Sequence, residues 1–309
     1  MLTIRRLLFP TDFSEGAALA FPQAAALAAW HDAELHILNV TEGGAPPEES
    51  LPASLDVLRE WLGYASDEGP TDDLDLEALS IVQNQVDADS APERIVDYAE
   101  AEGIDLVVMS THGRRGVQRM LLGSVTEEVV RKVPCPVLAV RSDGEEAPAP
   151  TVRRILVPVD FSDASKTAVR HANALAQTYG ADLDLLHVVE QVVYPSAYGV
   201  EPAYFPTQEV LTRVERTLGE MAREDLGRNQ VQVSAVVGYA PTSILRHAEE
   251  NDIDLIVIAT HGRSGLDRML LGSVAERVLR RAPTPVFIVK PERASLVPPP
   301  ESEAAAAHE

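Results

Sequence analysis

Two long stretches of this 309-residue chain are copies of one another. Ser110 to Val140 and Ala259 to Val289 align without a gap and are identical at 19 of 31 positions. The openings repeat as well: Arg5-Arg6-Leu7-Leu8-Phe9-Pro10-Thr11-Asp12-Phe13-Ser14 is answered by Arg153-Arg154-Ile155-Leu156-Val157-Pro158-Val159-Asp160-Phe161-Ser162. A repeat of this length means that one folding unit occurs twice, and two units of about 150 residues agree with the usual size of a domain. The spacing predicts a first domain over 1–142, a linker over 143–152 rich in Pro, Ala and acidic residues, a second domain over 153–291, and a disordered tail over 292–309 that ends in PPPESEAAAAHE.

Within each copy, short apolar runs alternate with amphipathic stretches. Copy two predicts strands at Ile155 to Val159, Leu183 to Val189, Val231 to Val237, Asp254 to Ala259 and Pro285 to Val289. Helices are expected between them, the first capped by Ser162 and closed by Gly180, the others over Val210 to Asp225, Pro241 to Asn251 and Gly272 to Arg281. Strands separated by helices pair in parallel through right-handed crossovers, so each copy is expected to be a doubly wound α/β domain with a five-stranded parallel sheet. Such sheets bind ligands outside the carboxyl ends of their strands, where the winding reverses. The loops after the first and fourth strands of each copy are therefore the places to search.

Composition removes several function classes. The 26 basic and 48 acidic residues leave a formal charge of −22, which opposes general binding to nucleic acid or to an anionic membrane. No apolar stretch approaches the roughly 20 residues needed to span a bilayer, and the N-terminus shows no apolar segment followed by a cleavage site. Cys135 is alone, and no Cys/His cluster has metal-finger spacing. These features predict a cytoplasmic protein with neither a disulfide nor a structural zinc.

The loop after the fourth strand of copy two reads Thr260-His261-Gly262-Arg263-Ser264-Gly265 and leads to Gly272-Ser273-Val274 at a helix start. Glycines let a backbone approach a ligand closely, and the amides of a helix N-terminus attract an anion, with phosphate the obvious choice. Ser273 adds a hydroxyl and Arg263 a positive charge; Gly113, Arg114, Gly116, Gly123 and Ser124 occupy the same places in copy one. Gly-Ser before a helix is also an ordinary cap, and residue types alone leave the two readings open. The first strands end in Pro10-Thr11-Asp12 and Pro158-Val159-Asp160, whose carboxylates can accept hydrogen bonds from a ribose or an adenine amine, or can cap the following helix.

These arrays resemble the universal stress proteins, whose adenine nucleotide alpha hydrolase-like domains often bind ATP through G-x-x-G, nine residues, then G followed by S or T. The match here runs from Ala259 to Gly262 and then Gly272-Ser273, and from Ser110 to Gly113 and then Gly123-Ser124. Both copies replace the first glycine, by Ala259 and Ser110. The resemblance implies ATP with Mg²⁺ bridging its phosphates, adenine contacts at Val40 and Val188, and a pocket position at Gly238. It also implies edge-to-edge pairing of the last strands, Val137 to Val140 and Val286 to Val289, within a pseudo-dimer or between two chains. Copy one carries Asp89 where copy two has Gly238, which adds bulk and negative charge, so copy two is expected to be the better site.

An enzyme needs a nucleophile, base or metal constellation beyond the binding loop. None is evident: His112 and His261 could touch phosphate or shuttle a proton but read more simply as turn residues bonded to the backbone, there is no Walker-type or kinase-type loop, and Thr11-Asp12-Phe13-Ser14 stands where ATP-cleaving relatives have S-G-G-x-D-S. The leading expectation is a stress-response regulatory module that binds ATP. Two alternatives are a slow ATPase or self-phosphorylating protein with Ser273 or Ser124 as acceptor, and a nucleotide-free dimerisation scaffold.

Overall fold

A computed structural model describes residues 2–43, 55–63, 74–111, 122–141, 151–190, 208–226, 231–260, 271–290 and 295–297. Copy one consists of β1 (Arg6–Thr11), α1 (Glu15–His31), β2 (Glu34–Thr41), α2 (Leu55–Leu62), β3 (Ile81–Asp87), α3 (Ala91–Ala101), β4 (Leu106–Ser110), α4 (Ser124–Lys132) and β5 (Val137–Val140). Copy two consists of β6 (Arg154–Pro158), α5 (Asp163–Tyr179), β7 (Asp182–Val189), α6 (Gln208–Leu226), β8 (Gln232–Val237), α7 (Ala240–Glu250), β9 (Leu255–Ala259), α8 (Ser273–Arg281) and β10 (Val286–Val289). A 3₁₀ turn, Leu76–Ala78, precedes β3.

Local chemistry explains the clearest boundaries. Ser162 caps α5 by accepting the N–H of Ser165, and Gly180 ends the helix in the left-handed conformation at φ 70°. In copy one Ser14 accepts the N–H of Ala17, and the left-handed position falls to Asp32, at φ 50°. Helix α1 is buried at every position from Ala17 to Ala28, so it is Ala-rich all round instead of amphipathic. Its bulky contacts come from the edge-to-face packing of Phe21 with Phe9 and Trp61.

The ten strands form one sheet in the order β3-β2-β1-β4-β5-β10-β9-β6-β7-β8. Each half is parallel, and β5 pairs with β10 antiparallel, Leu138 opposite Phe287. The last strands thus join the two copies within one chain, and the apolar edges of β5 and β10 cover one another. The outer edges are β3 and β8, whose residues are mostly half-buried. One core lies on each face, and both mix residues of the two copies: Phe9, Leu138, Leu185 and Phe287 share one, Leu8, Val137, Leu186 and Ile288 the other.

The segment after β10 does not simply leave the domain. Leu296, which the sequence reading placed in a disordered tail, is buried, with its N–H donating to Nε2 of His171 at 3.3 Å and its carbonyl accepting from Thr3 at 3.1 Å. The predicted tail is therefore corrected at Ser295 to Val297, which dock where the two copies meet because an apolar Leu296 side chain finds the shared core. The remainder of the tail and linker residues 143–150 lie outside the described residues.

Candidate functional site

In copy two the carboxyl ends of β6, β7 and β9 and the starts of α7 and α8 enclose a cavity of about 300 Å³. It lies at the reversal of winding, since β6 has β7 on one side and β9 on the other. Pro158, Val159, Asp160, Val188, Gly272, Ser273 and Val274 all line it.

The β6 end is shaped by a tight turn. Asp160 Oδ1 accepts the N–H of Ser162 at 3.0 Å, and Phe161 between them is left-handed at φ 65°. Copy one repeats the device: Asp12 Oδ1 accepts from Ser14 at 3.0 Å, and Phe13 has φ 58°. A bulky residue in this region costs about 1–3 kcal/mol, and such strain concentrates at functional sites. The capping alternative for these aspartates is thus partly realised, with the carboxylate organising the turn while serine caps the helix.

The α8 end has the opposite character. Gly272 is the N-cap, Ser273 is the first helical residue, and among the described residues no side chain caps the helix. The Gly272 N–H donates to the Thr260 carbonyl at 2.7 Å, which ties the helix start to the end of β9. The N–H groups of the first turn, unserved by a side chain of the described residues, carry the partial positive charge of the helix and suit an anion. Helix α4 repeats this arrangement with Gly123 as N-cap and Gly123 N–H bonded to Thr111 O at 2.8 Å.

Gly238 is not among the residues lining the cavity. A Cβ at this position would stand 2.5 Å from Ser243 Oγ, so the glycine permits the β8–α7 turn to close on α7. Val40 is half-buried and packs on the core of the α3 and α4 face, as its counterpart Val188 does in copy two. Gly113, Arg114, Gly116, Gly262, Arg263, Gly265, His112 and His261 lie outside the described residues.

Sequence reasoning missed His187. Its Nδ1–H donates to the Val159 carbonyl at 2.6 Å, and its ring stacks obliquely on Phe161 with centroids 4.8 Å apart. The available signal was positional, because Asn39 stands at the same place in copy one and donates to the Thr11 carbonyl at 2.8 Å. Ala240, Ile244 and Ile258 supply apolar walls. Their signal, ordinary core periodicity, does not distinguish a cavity wall from packed interior.

Fold and site together define a tandem α/β protein with a cavity at a topological switch point. The model of the universal stress protein family matches residues 3–141 and 151–290, and the chain belongs to that family. It is similar to a universal stress protein of Mycolicibacterium smegmatis, 30% identical over 298 residues that cover 92% of this chain and 97% of the relative. A universal stress protein of Mycobacterium tuberculosis is 32% identical over 212 residues, covering 69% of this chain and 70% of its own length. Among solved structures, a protein of unknown function from Pseudomonas aeruginosa has a TM-score of 0.67 at 22% identity, covering 94% of this chain and 93% of that one. That last likeness concerns the fold alone.

Proposed function

We propose that the chain is a cytoplasmic regulatory protein that binds a nucleotide, ATP in the first instance, in the copy-two cavity. The observation that carries this reading is the meeting of three unlike surfaces in one cavity: the Asp160 carboxylate, the apolar walls and the uncapped start of α8. The walls suit a base, the carboxylate a ribose or amine donor, and the helix start a phosphate.

Mg²⁺ fits only as a passenger on the phosphates. Among the described residues no group of three or more His, Cys, Asp or Glu is placed to hold a metal ion. Magnesium commonly keeps its waters and binds through nucleotide phosphates, which agrees with that arrangement.

Calorimetric titration of ATP with Mg²⁺ into the intact chain and into Gly272→Asp tests the proposal. Binding by the intact chain that is lost in the variant is the expected result. Absence of binding by folded, intact protein overturns the reading and favours a scaffold role. Release of phosphate at a rate proportional to bound ATP would instead favour the ATPase reading.

A further inference from the structure

Two residues that the nucleotide reading does not use meet beside the cavity. Tyr239 is 50% exposed, and the guanidinium carbon of Arg277 lies 5.4 Å from the centre of its ring. Tyr239 directly precedes Ala240, and Arg277 follows Val274 by three positions on α8; Ala240 and Val274 both line the cavity. Residues three and four apart share a helix face, and helical side chains lean toward the N-terminus, so Arg277 leans back toward Ser273 and Val274. Neither side chain is among those lining the cavity; their cation–π contact bridges α8 and the β8–α7 turn beside it. Among the described residues no carboxylate pairs with Arg277; its neighbour Glu276 bonds Arg280 at 2.9 Å instead.

Copy one differs at these positions. Ser90 stands in place of Tyr239, Glu128 in place of Arg277, and Glu93 in place of Thr242. Lys132 partly offsets those acids, 2.6 Å from Glu128 and 3.7 Å from Glu93. Asp89, in place of Gly238, adds a further carboxylate to copy one, whereas Glu42 and Glu190 are common to both copies and each accept the first N–H of the following helix, from Ala91 at 2.9 Å and from Ala240 at 3.2 Å. The difference between the two rims is thus an aromatic–cation pair in one and a serine with added carboxylates in the other.

We propose that Arg277, positioned by Tyr239, is the charge-specificity residue of the copy-two site, selecting phosphate-bearing ligands over their uncharged counterparts and directing them to copy two. The inference rests on the reading that this cavity takes a nucleotide. Arginine suits the role because its planar fork stacks on an aromatic face and still presents N–H donors to a phosphate. Holding the side chain on Tyr239 beforehand reduces the freedom lost when the anion arrives.

The test is to titrate ATP and adenosine separately into the intact chain, Arg277→Gln and Tyr239→Ser, at low and at physiological salt. Arg277→Gln is expected to weaken ATP about tenfold and to leave adenosine within about twofold, with the ATP effect shrinking as salt rises. Tyr239→Ser is expected to give a smaller loss of the same kind. Unchanged ATP affinity in Arg277→Gln, or equal losses for ATP and adenosine, overturns this inference while leaving the nucleotide reading intact. Failure of the intact chain to bind either ligand overturns both. Arg277 is exposed, and thermal unfolding of each variant checks that the fold is retained.

Discussion

The ring of His171 accepts the backbone N–H of Leu296 on Nε2 at 3.3 Å and bonds the Thr167 carbonyl through Nδ1 at 2.9 Å. A carbonyl only accepts, so the proton is on Nδ1 and the imidazole is neutral. Protonating Nε2 would set two donors against each other inside the shared core. Burial, foremost, holds the His171 pKa below its ordinary value of 6.5, with the Thr167 bond acting in the opposite direction and Arg170 adding to the lowering.

Stability should therefore fall as the solution is acidified. The unfolded chain takes up a proton on this histidine near pH 6.5, before the folded chain does, so the stabilisation is complete above that pH and is lost as pH drops toward the depressed folded value. His31, also lowered by burial, contributes in the same direction. Urea midpoints measured from pH 7.5 to pH 5 should decline, and His171→Gln, which borrows the Gln23 of copy one, should flatten the decline. An unchanged slope in that variant would show that the histidine is accessible to protons in the folded state.

The two copies should unfold together. Phe287 of β10 is buried opposite Leu138 of β5, whereas both tryptophans, Trp30 and Trp61, belong to copy one. Phe287→Ala should cost about 3–5 kcal/mol, and because each core spans both copies the loss should appear in the tryptophan fluorescence transition. A fluorescence midpoint that stays in place while circular dichroism splits into two steps would mean that the copies unfold independently.

Lys290 and Arg141 reinforce that seam reciprocally. The Lys290 ammonium donates to the Val133 carbonyl at 2.6 Å, at the end of α4, and Arg141 donates to the Ala282 carbonyl at 2.7 Å, at the end of α8. Each positive charge thus serves the negative end of a helix in the other copy. Lys290→Met should lower stability by about 1–2 kcal/mol, measured by urea denaturation, through the unserved carbonyl.

Gly238→Ala should destabilise the chain by about 1–3 kcal/mol, because its Cβ would meet Ser243 Oγ at 2.5 Å. Removing that hydroxyl with Ser243→Ala should recover most of the loss in the double variant. If the two effects simply add, the close contact is not the reason for glycine.

Cys135 should resist modification. It is fully buried, and desolvation, only partly opposed by Lys290, pushes its thiol up to about 12. A thiol reagent at pH 8 should label the chain only after denaturation; rapid labelling of the native protein would contradict this packing.

Much of the molecule was legible because its signals are local. The Ser162 cap, the Gly180 stop and the apolar run ending at Ala259 each act within a few residues, and copy one repeats the serine cap at Ser14 while Asp32 takes the place of the glycine stop. Asp160, Gly272 and Ser273 were visible for the same reason, since strand-end acids and helix-start glycines have recognisable neighbours. His187 was not, because its role depends on Val159 and Phe161, which lie just beyond the end of another strand, β6.

The sequence by itself determined that one α/β unit occurs twice and where its strands and helices fall, since repetition, periodicity and capping are written in neighbouring residues. Only the tertiary structure decided that the two sheets merge through Leu138 and Phe287, that Leu296 returns to His171, and that Gly238 faces Ser243 instead of the cavity. Those outcomes follow from which apolar and polar surfaces can cover one another in three dimensions, between residues as much as 149 positions apart in the case of Leu138 and Phe287.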